Sequence, residues 1–171
     1  MHQLFLLRHA KAEPEASSRS DHDRVLTAKG RRDAGKIAQV MRKAGLAPDV
    51  VLVSTATRTR QTLEELENAP VWDEWPNIDA LPQLYMANPA QLLNTVRDLP
   101  ETVRSALIIA HNPGLHELAL RLAGESHTQG RESLSEGYPT ATLSEFLVTG
   151  TWRRTGEDPT SLKLFLRPQD C

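Results

Sequence analysis

Three short stretches, LFLL at 4–7, VVLV at 50–53 and ALIIA at 106–110, are apolar without a polar interruption. Runs of four or five residues rich in Val, Ile and Leu suit strands buried on both faces, and such strands are mostly parallel, with helices covering both sides of the sheet. A later pair, near 143–148 and 162–166, alternates more between apolar and polar residues and is expected to pair antiparallel. Between the runs, apolar residues recur at helical spacing, so the chain reads as an α/β sandwich. Its 171 residues are the size of one domain, 1–171, and show no internal repeat, low-complexity tract or interdomain linker.

Start and stop signals delimit the helices. Thr27 caps one whose inward face is Ala34, Ile37, Ala38 and Met41, ending at Gly45 before Pro48. A second follows Ser54, turns Thr62, Leu63 and Leu66 inward, and runs to Asn68 and Pro70. Asn88 and Pro89 read as N-cap and first helical residue, with Leu92, Leu93, Val96 and Leu99 on one face. Asn112 and Pro113 repeat that start, with Leu115, Leu118, Ala119 and Leu122 inward and Gly124 as the stop. The polar stretches 12–24 and 124–139 are expected to be loops.

A net charge of -2 provides no global attraction to nucleic acid or to an anionic membrane, so any anion must be held locally. No apolar run approaches the roughly 18 residues that span a bilayer, and the N-terminus reaches Arg8 too soon for a secretory signal. The single cysteine, Cys171, excludes an internal disulfide framework and a cysteine-based metal cluster. The expected compartment is the cytoplasm.

Each of the three central runs leads into a cationic or imidazole side chain: Arg8 and His9 after the first, Arg58 four residues past Ser54, and His111 after the third. In an open α/β sheet, ligands gather at the carboxyl ends of the strands, so these four side chains meet if the strands are neighbours. Two guanidiniums and two imidazoles with no acidic partner describe a site for a compact, multiply charged anion, and phosphate is the obvious one. Phosphoryl transfer spreads charge over three equatorial oxygens, which Arg8, Arg58 and His111 can meet with positive charge. His9 is left as the nucleophile, because a neutral imidazole nitrogen attacks phosphorus and gives a labile phosphoenzyme. The scheme requires no metal and no cofactor.

Taken singly, these residues have plainer accounts. An Arg-His pair suits a surface turn, and His111 precedes a helix start that needs no ligand. Arg58, in a first helical turn, opposes the helix dipole unless something such as a bound anion compensates it. Metal binding by His9, His22 and His111 with Asp21 or Asp23 lacks the HExxH or His-x-His spacing that would make it specific. His116 reads as a surface residue, and His2, His22 and His127 as terminal or loop residues. Trp72 and Trp75 read as packing under a Pro-rich connection, Arg31 and Arg32 as a solvated helix face.

LFLLRHAKAE resembles the RHG signature of the histidine phosphatase superfamily, also called phosphoglycerate-mutase-like. DHDRVLTAKGRRDA at 21–34, STATRTRQTLEE at 54–65 and IIAHNPGLHELALRLAG at 108–124 extend the resemblance over about the first three quarters of the chain. RHA in place of RHGE, LTxxG after the first loop, and HNPG in place of the HGG of the mutases are most similar to the small SixA-type branch, the phosphohistidine phosphatases. The resemblance implies a three-layer α/β/α fold with a mostly parallel central sheet, a phosphoryl group accepted by His9, and oxygens clamped by Arg8, Arg58 and His111. It also implies that Arg24 borders the pocket, a residue that otherwise reads equally well as a solvated loop arginine.

Many superfamily members place a Glu or Asp after the third strand as general acid, whereas LPQLYMANP offers Gln83 and no carboxylate. Glu13 is the nearest other donor. A leaving alkoxide needs a proton, while the nitrogen of a phosphohistidine is less demanding, and SixA-type relatives commonly lack the acid too. The short loops leave no evident lid, which disfavours a mutase and suits a phosphorylated side chain on a protein, such as a histidine-containing phosphotransfer domain. The expectation is a metal-independent phosphatase of protein phosphohistidine. A small-molecule phosphomonoesterase and a non-catalytic phosphate-binding interaction module are the alternatives.

Overall fold

A computed structural model describes residues 1–16, 19–69, 72–125 and 128–171. The helix stop expected at Pro70 and the loop histidine His127 lie outside the described residues. A six-stranded sheet forms the spine, with β1 (His2–Arg8), β2 (Val50–Ser54), β3 (Asn77–Leu81), β4 (Ser105–Ala110), β5 (Leu143–Val148) and β6 (Thr160–Leu166) in the order β3-β2-β4-β1-β5-β6. The pairs β1–β4, β2–β4 and β2–β3 are parallel, and β5 runs antiparallel to both β1 and β6. The mostly parallel sheet and the antiparallel late pair are both as expected.

The uninterrupted apolar runs are explained by burial on both faces. Every residue of β2 and β4 is buried. Leu4, Leu6, Leu52 and Ile108 face one cluster with Leu92 of α3 (Pro89–Arg97), Leu118 of α4 (Gly114–Ala123) and Leu134 of α5 (Gln129–Glu136). Phe5, Leu7, Val53 and Ile109 face the other, with Ile37 and Met41 of α1 (Ala28–Ala44) and Leu63 of α2 (Thr57–Asn68). Each such side chain contributes about 1.5–3 kcal/mol on burial, and the alternation along the strands divides that driving force between two helical layers. The fold is therefore the three-layer one.

Capping follows the local chemistry. The Thr27 hydroxyl accepts from the Gly30 N–H, and Gly45 closes α1 at φ 65°, the left-handed conformation that glycine adopts without strain. Asn88 and Gln91 cap α3 reciprocally. The expected repeat of that start at Asn112 does not occur, because the Asn112 amide is turned to the Tyr138 carbonyl at 2.8 Å and α4 begins at Gly114.

Gly30 lies where α1 crosses the segment leaving β1. A Cβ there would stand 2.1 Å from the Lys11 carbonyl oxygen, which also accepts the Thr27 N–H. Gly30→Ala is expected to destabilise the fold by about 2 kcal/mol, the overpacking cost outweighing the roughly 1 kcal/mol of helix propensity that alanine adds. Urea unfolding measures it, and equal or greater stability in the variant would contradict the close approach.

Two elements differ from expectation. β3 is an edge strand, NIDAL, with four exposed residues, so its conformation comes from pairing with β2 and not from an apolar pattern. α5 occupies part of the stretch read as a loop; Thr128 caps it, and Leu134 is its one buried residue, too little to establish a helical period.

Several single residues are corrected as well. His2 belongs to β1, is buried, and stacks on Trp152 with Nε2 2.9 Å from Glu101. His116 is half-buried and bonds the Leu134 carbonyl at 2.7 Å, tying α4 to α5. Trp72 packs as expected, but Trp75 is 63% exposed. Arg32 is exposed, while Arg31 pairs with Glu65 of α2 at 2.7 Å. No described helix is long and apolar enough to cross a membrane.

Candidate active site

Because β2, β4 and β1 are neighbours, their carboxyl ends deliver Ser54, His111, Arg8 and His9 to one place, and Arg58 joins them from the first turn of α2. The His9 and His111 rings lie 5.3 Å apart between centroids. The convergence expected of Arg8, His9, Arg58 and His111 is therefore present.

The backbone around His9 is held on several sides. Its N–H donates to Ala110 at 3.2 Å, its carbonyl accepts from Ala141 at 3.0 Å, and the next N–H, of Ala10, donates to Thr62 Oγ1 at 3.0 Å. His9 Nδ1 lies 2.7 Å from the Ala10 carbonyl oxygen. A carbonyl only accepts, so Nδ1 carries the proton and Nε2 keeps its lone pair. Burial, followed by the charges of Arg58, Arg8 and Arg24, pushes the His9 pKa down to about 3, against the opposing effect of the Ala10 hydrogen bond. The ring is neutral, one tautomer is selected, and the free nitrogen is the nucleophilic one.

His111 is 2% exposed, with Nε2 2.7 Å from Ser54 Oγ. That oxygen accepts from the Ala56 N–H, and its own proton has no other acceptor among the described residues, so the buried hydroxyl donates to Nε2 and His111 Nδ1 is an N–H. Burial first, then His9, Arg58 and Arg8, push the His111 pKa to about 3, with Asp21 opposing. His111 is thus a neutral hydrogen-bond donor at neutral pH and not the fixed positive charge expected of it, because it is buried beside two guanidiniums.

These depressed values have a consequence for stability. Both histidines are neutral in the fold, while in the unfolded chain they titrate near 6.5. Their contribution is fully present above pH 6.5 and is lost as pH falls toward 3, by about 1.4 kcal/mol per pH unit for each. Between pH 6 and 4, wild type is expected to lose more stability than His9→Ala, which lacks one such group. Denaturant unfolding at the two pH values compares them; equal losses would contradict a neutral, buried His9.

Arg58 is 1% exposed, and its Nη1 donates to the Asp21 carbonyl at 2.7 Å while Nη2 donates to Asp21 Oδ2 at 3.2 Å. Arg8 donates through Nη1 to the Tyr138 carbonyl at 3.0 Å; burial, then Arg58 and Arg24, lower its pKa. Arg24 is half-buried and reaches Asp21 Oδ1 through Nε and the Glu13 carbonyl through Nη1, each at 3.1 Å. Arg8 Nε, Arg58 Nε and His111 Nδ1 are buried and have no partner among the described residues. A buried unpaired donor costs about 1–3 kcal/mol, and three of them around His9 make a cradle whose complement is an oxyanion.

Sequence reasoning missed Tyr85 and misjudged Asp21. The set was expected to have no acidic partner, yet Asp21 bridges Arg58 and Arg24 and accepts a short hydrogen bond from the Tyr85 hydroxyl. The Tyr85 hydrogen bond first, then Arg58 and Arg24, hold the Asp21 carboxyl below its ordinary range, whereas burial and then Asp21 push the Tyr85 phenol up. The Tyr85 ring stands edge-on to His111 at 5.4 Å and to His22 at 4.8 Å. Gln83, two residues earlier, is exposed. Tyr85 faces the site because the turn after β3 sets the register, and β3 carried no signal. Glu13 meets Arg24 through its backbone carbonyl, and its side chain is exposed. Among the described residues, no three His, Cys, Asp or Glu side chains are grouped as metal ligands.

The sequence profile of the histidine phosphatase superfamily (branch 1) matches residues 4–80. An uncharacterized protein of Mycobacterium tuberculosis is 35% identical over 153 residues, 85% of this chain and 89% of the relative. Two solved structures designated phosphohistidine phosphatase SixA share the fold. That from Agrobacterium tumefaciens has TM-score 0.83 and 29% identity, with 98% of each chain covered. That from Nakamurella multipartitia has TM-score 0.84 and 27% identity, covering 98% of this chain and 96% of its own. The chain belongs to branch 1 of the histidine phosphatase superfamily. Its family and its SixA-like neighbours support a phosphatase with a histidine nucleophile.

Proposed function

We propose that this protein hydrolyses phosphohistidine on a partner protein, without a metal ion, through a phosphoenzyme formed on His9. The observation that carries the reading is the neutral His9 ring, whose Nδ1 proton is committed to the Ala10 carbonyl, beside buried donors of Arg8, Arg58 and His111 that have no partner among the described residues. The Nε2 lone pair of His9 forms a bond to phosphorus as the bond to the leaving nitrogen breaks, its electron pair departing with the leaving group. Water then attacks the phosphoenzyme, inorganic phosphate is released, and the pair returns to Nε2. The guanidiniums and the His111 N–H stabilise the equatorial oxygens in both transfers, with Arg24 at the border of the pocket.

A nitrogen leaving group fits better than an alkoxide because, among the described residues, the site holds no carboxylic acid ready to give a proton. Asp21 is ionised, and the Tyr85 phenol is committed to it. The likeness to the SixA structures supports the same choice.

The test uses a radiolabelled, histidine-phosphorylated phosphotransfer protein, following phosphate release and acid-labile label on the enzyme in wild type and His9→Ala. Release by wild type alone, with transient label through His9, is the expected result. Cleavage of an aryl phosphate with no release from the phosphoprotein would move the substrate to small esters. Tight phosphate binding with neither reaction would make the protein a binding module.

A further inference from the structure

The transfer steps above leave one charged group of the pocket unused. Asp21 Oδ1 accepts from Arg24 Nε at 3.1 Å, and Oδ2 accepts from Arg58 Nη2 at 3.2 Å and from the Tyr85 hydroxyl. Its side chain is 38% exposed, against 2% for that of Arg58, so the carboxylate lies on the outward side of a buried guanidinium. His111 and Arg58 lie inward of it. Of its loop neighbours, His22 is directed at Thr55 Oγ1 (3.0 Å) and lies 3.5 Å from Asp23. An ionised carboxylate there repels a phosphoryl dianion and occupies N–H groups of two arginines that could otherwise meet it. Such a group is a liability for phosphate binding alone. It becomes an asset when the ligand carries positive charge on its outward side, where an in-line displacement puts the group that leaves phosphorus opposite His9.

We propose that Asp21 is the counter-ion and hydrogen-bond acceptor for a cationic leaving group, which makes the site selective for N-phosphorylated imidazole over phosphate esters. The proposal rests on the phosphohistidine reading above. The substrate imidazole enters protonated on the nitrogen that does not carry phosphorus, and that N–H donates to Asp21. Of the two carboxylate oxygens, Oδ1 takes one hydrogen bond among the described residues and has a further lone pair for it. When the P–N bond breaks, its electron pair stays on the leaving nitrogen, and a neutral imidazole departs with its original proton. The enzyme supplies no proton, consistent with an ionised Asp21. The two sides of the transfer then match. The Ala10 carbonyl holds the distal N–H of the attacking imidazole, and the Asp21 carboxylate holds that of the departing one.

The experiment compares phosphoimidazole with p-nitrophenyl phosphate in wild type and Asp21→Asn, a substitution that removes the charge and keeps one carbonyl oxygen, which in the Oδ2 position still accepts from Tyr85 and Arg58 while the acceptor at Oδ1 is lost. The ratio of kcat/KM values, phosphoimidazole over aryl ester, is expected to fall roughly 10- to 100-fold, the size of one charge-assisted hydrogen bond, while aryl ester hydrolysis itself rises. A parallel fall on both substrates, as expected if the carboxylate merely holds Arg58, would overturn the proposal. Should the variant fail to fold, wild type is tested on N-methylated phosphoimidazole, which keeps the cation and lacks the N–H. A roughly tenfold higher KM than for phosphoimidazole is expected, and an equal KM overturns the acceptor role. Wild type inert toward phosphoimidazole and phosphohistidine protein, yet active on the ester, is a different failure, that of the functional reading itself.

Discussion

His9→Ala is expected to reduce phosphate release by about 10⁴-fold or more, since removing a covalent nucleophile leaves only binding and fixed dipoles to act on water. The fold is expected to persist. Among the described residues the ring makes one side-chain hydrogen bond, to Ala10, while the His9 backbone keeps its bonds to Ala110 and Ala141 whatever the side chain. Phosphate release and thermal unfolding, measured on one preparation, separate the two effects. Near-normal release from a folded variant would remove His9 from the mechanism and, with it, the phosphoenzyme.

Arg58→Ala is expected to lower kcat/KM on an aryl phosphate by about 10²- to 10³-fold, the usual loss when one preorganised donor to a developing oxyanion is deleted. The effect has two parts. The buried Nε donor disappears, and so does the fork that holds both the backbone oxygen and the carboxylate of Asp21, at 2.7 and 3.2 Å. Without that partner the Asp21 loop keeps Arg24 and Tyr85 as anchors. Lysine is expected to rescue little, because an ammonium cannot span the two Asp21 acceptors and still present a planar N–H to the pocket. Steady-state kinetics on wild type, Arg58→Ala and Arg58→Lys measure this, and a variant within a fewfold of wild type would show that Arg58 serves structure alone.

The part of the site that was legible came from residues sitting next to loud signals. Arg8 and His9 directly follow the uninterrupted apolar run LFLL, His111 directly follows ALIIA, and Arg58 lies a fixed helical step beyond Ser54. Tyr85 and Asp21 had no such marker. Tyr85 follows an exposed edge strand whose shape is imposed by β2, and Asp21 comes from a loop whose place depends on the Arg58 and Arg24 side chains it accepts from. The protonation state of His111 was equally out of reach. Arg8, Arg58 and His111 were expected to supply positive charge around a neutral His9, but shared burial keeps the His111 imidazole neutral as well.

By itself the sequence determined the layered α/β architecture, because doubly buried strands and one-sided helices write their burial into hydrophobic period. It also determined which strand ends carry the side chains proposed to bind the anion, since each lies within a few residues of its strand. The tertiary structure alone decided the strand order that makes those ends neighbours, the tautomer that frees His9 Nε2, and the meeting of Asp21 with Tyr85 across 64 positions. The physical reason is range. Periodicity and capping act over a few residues along the chain, whereas the charge state and partners of a buried polar group are set by whatever the fold brings within a few ångströms.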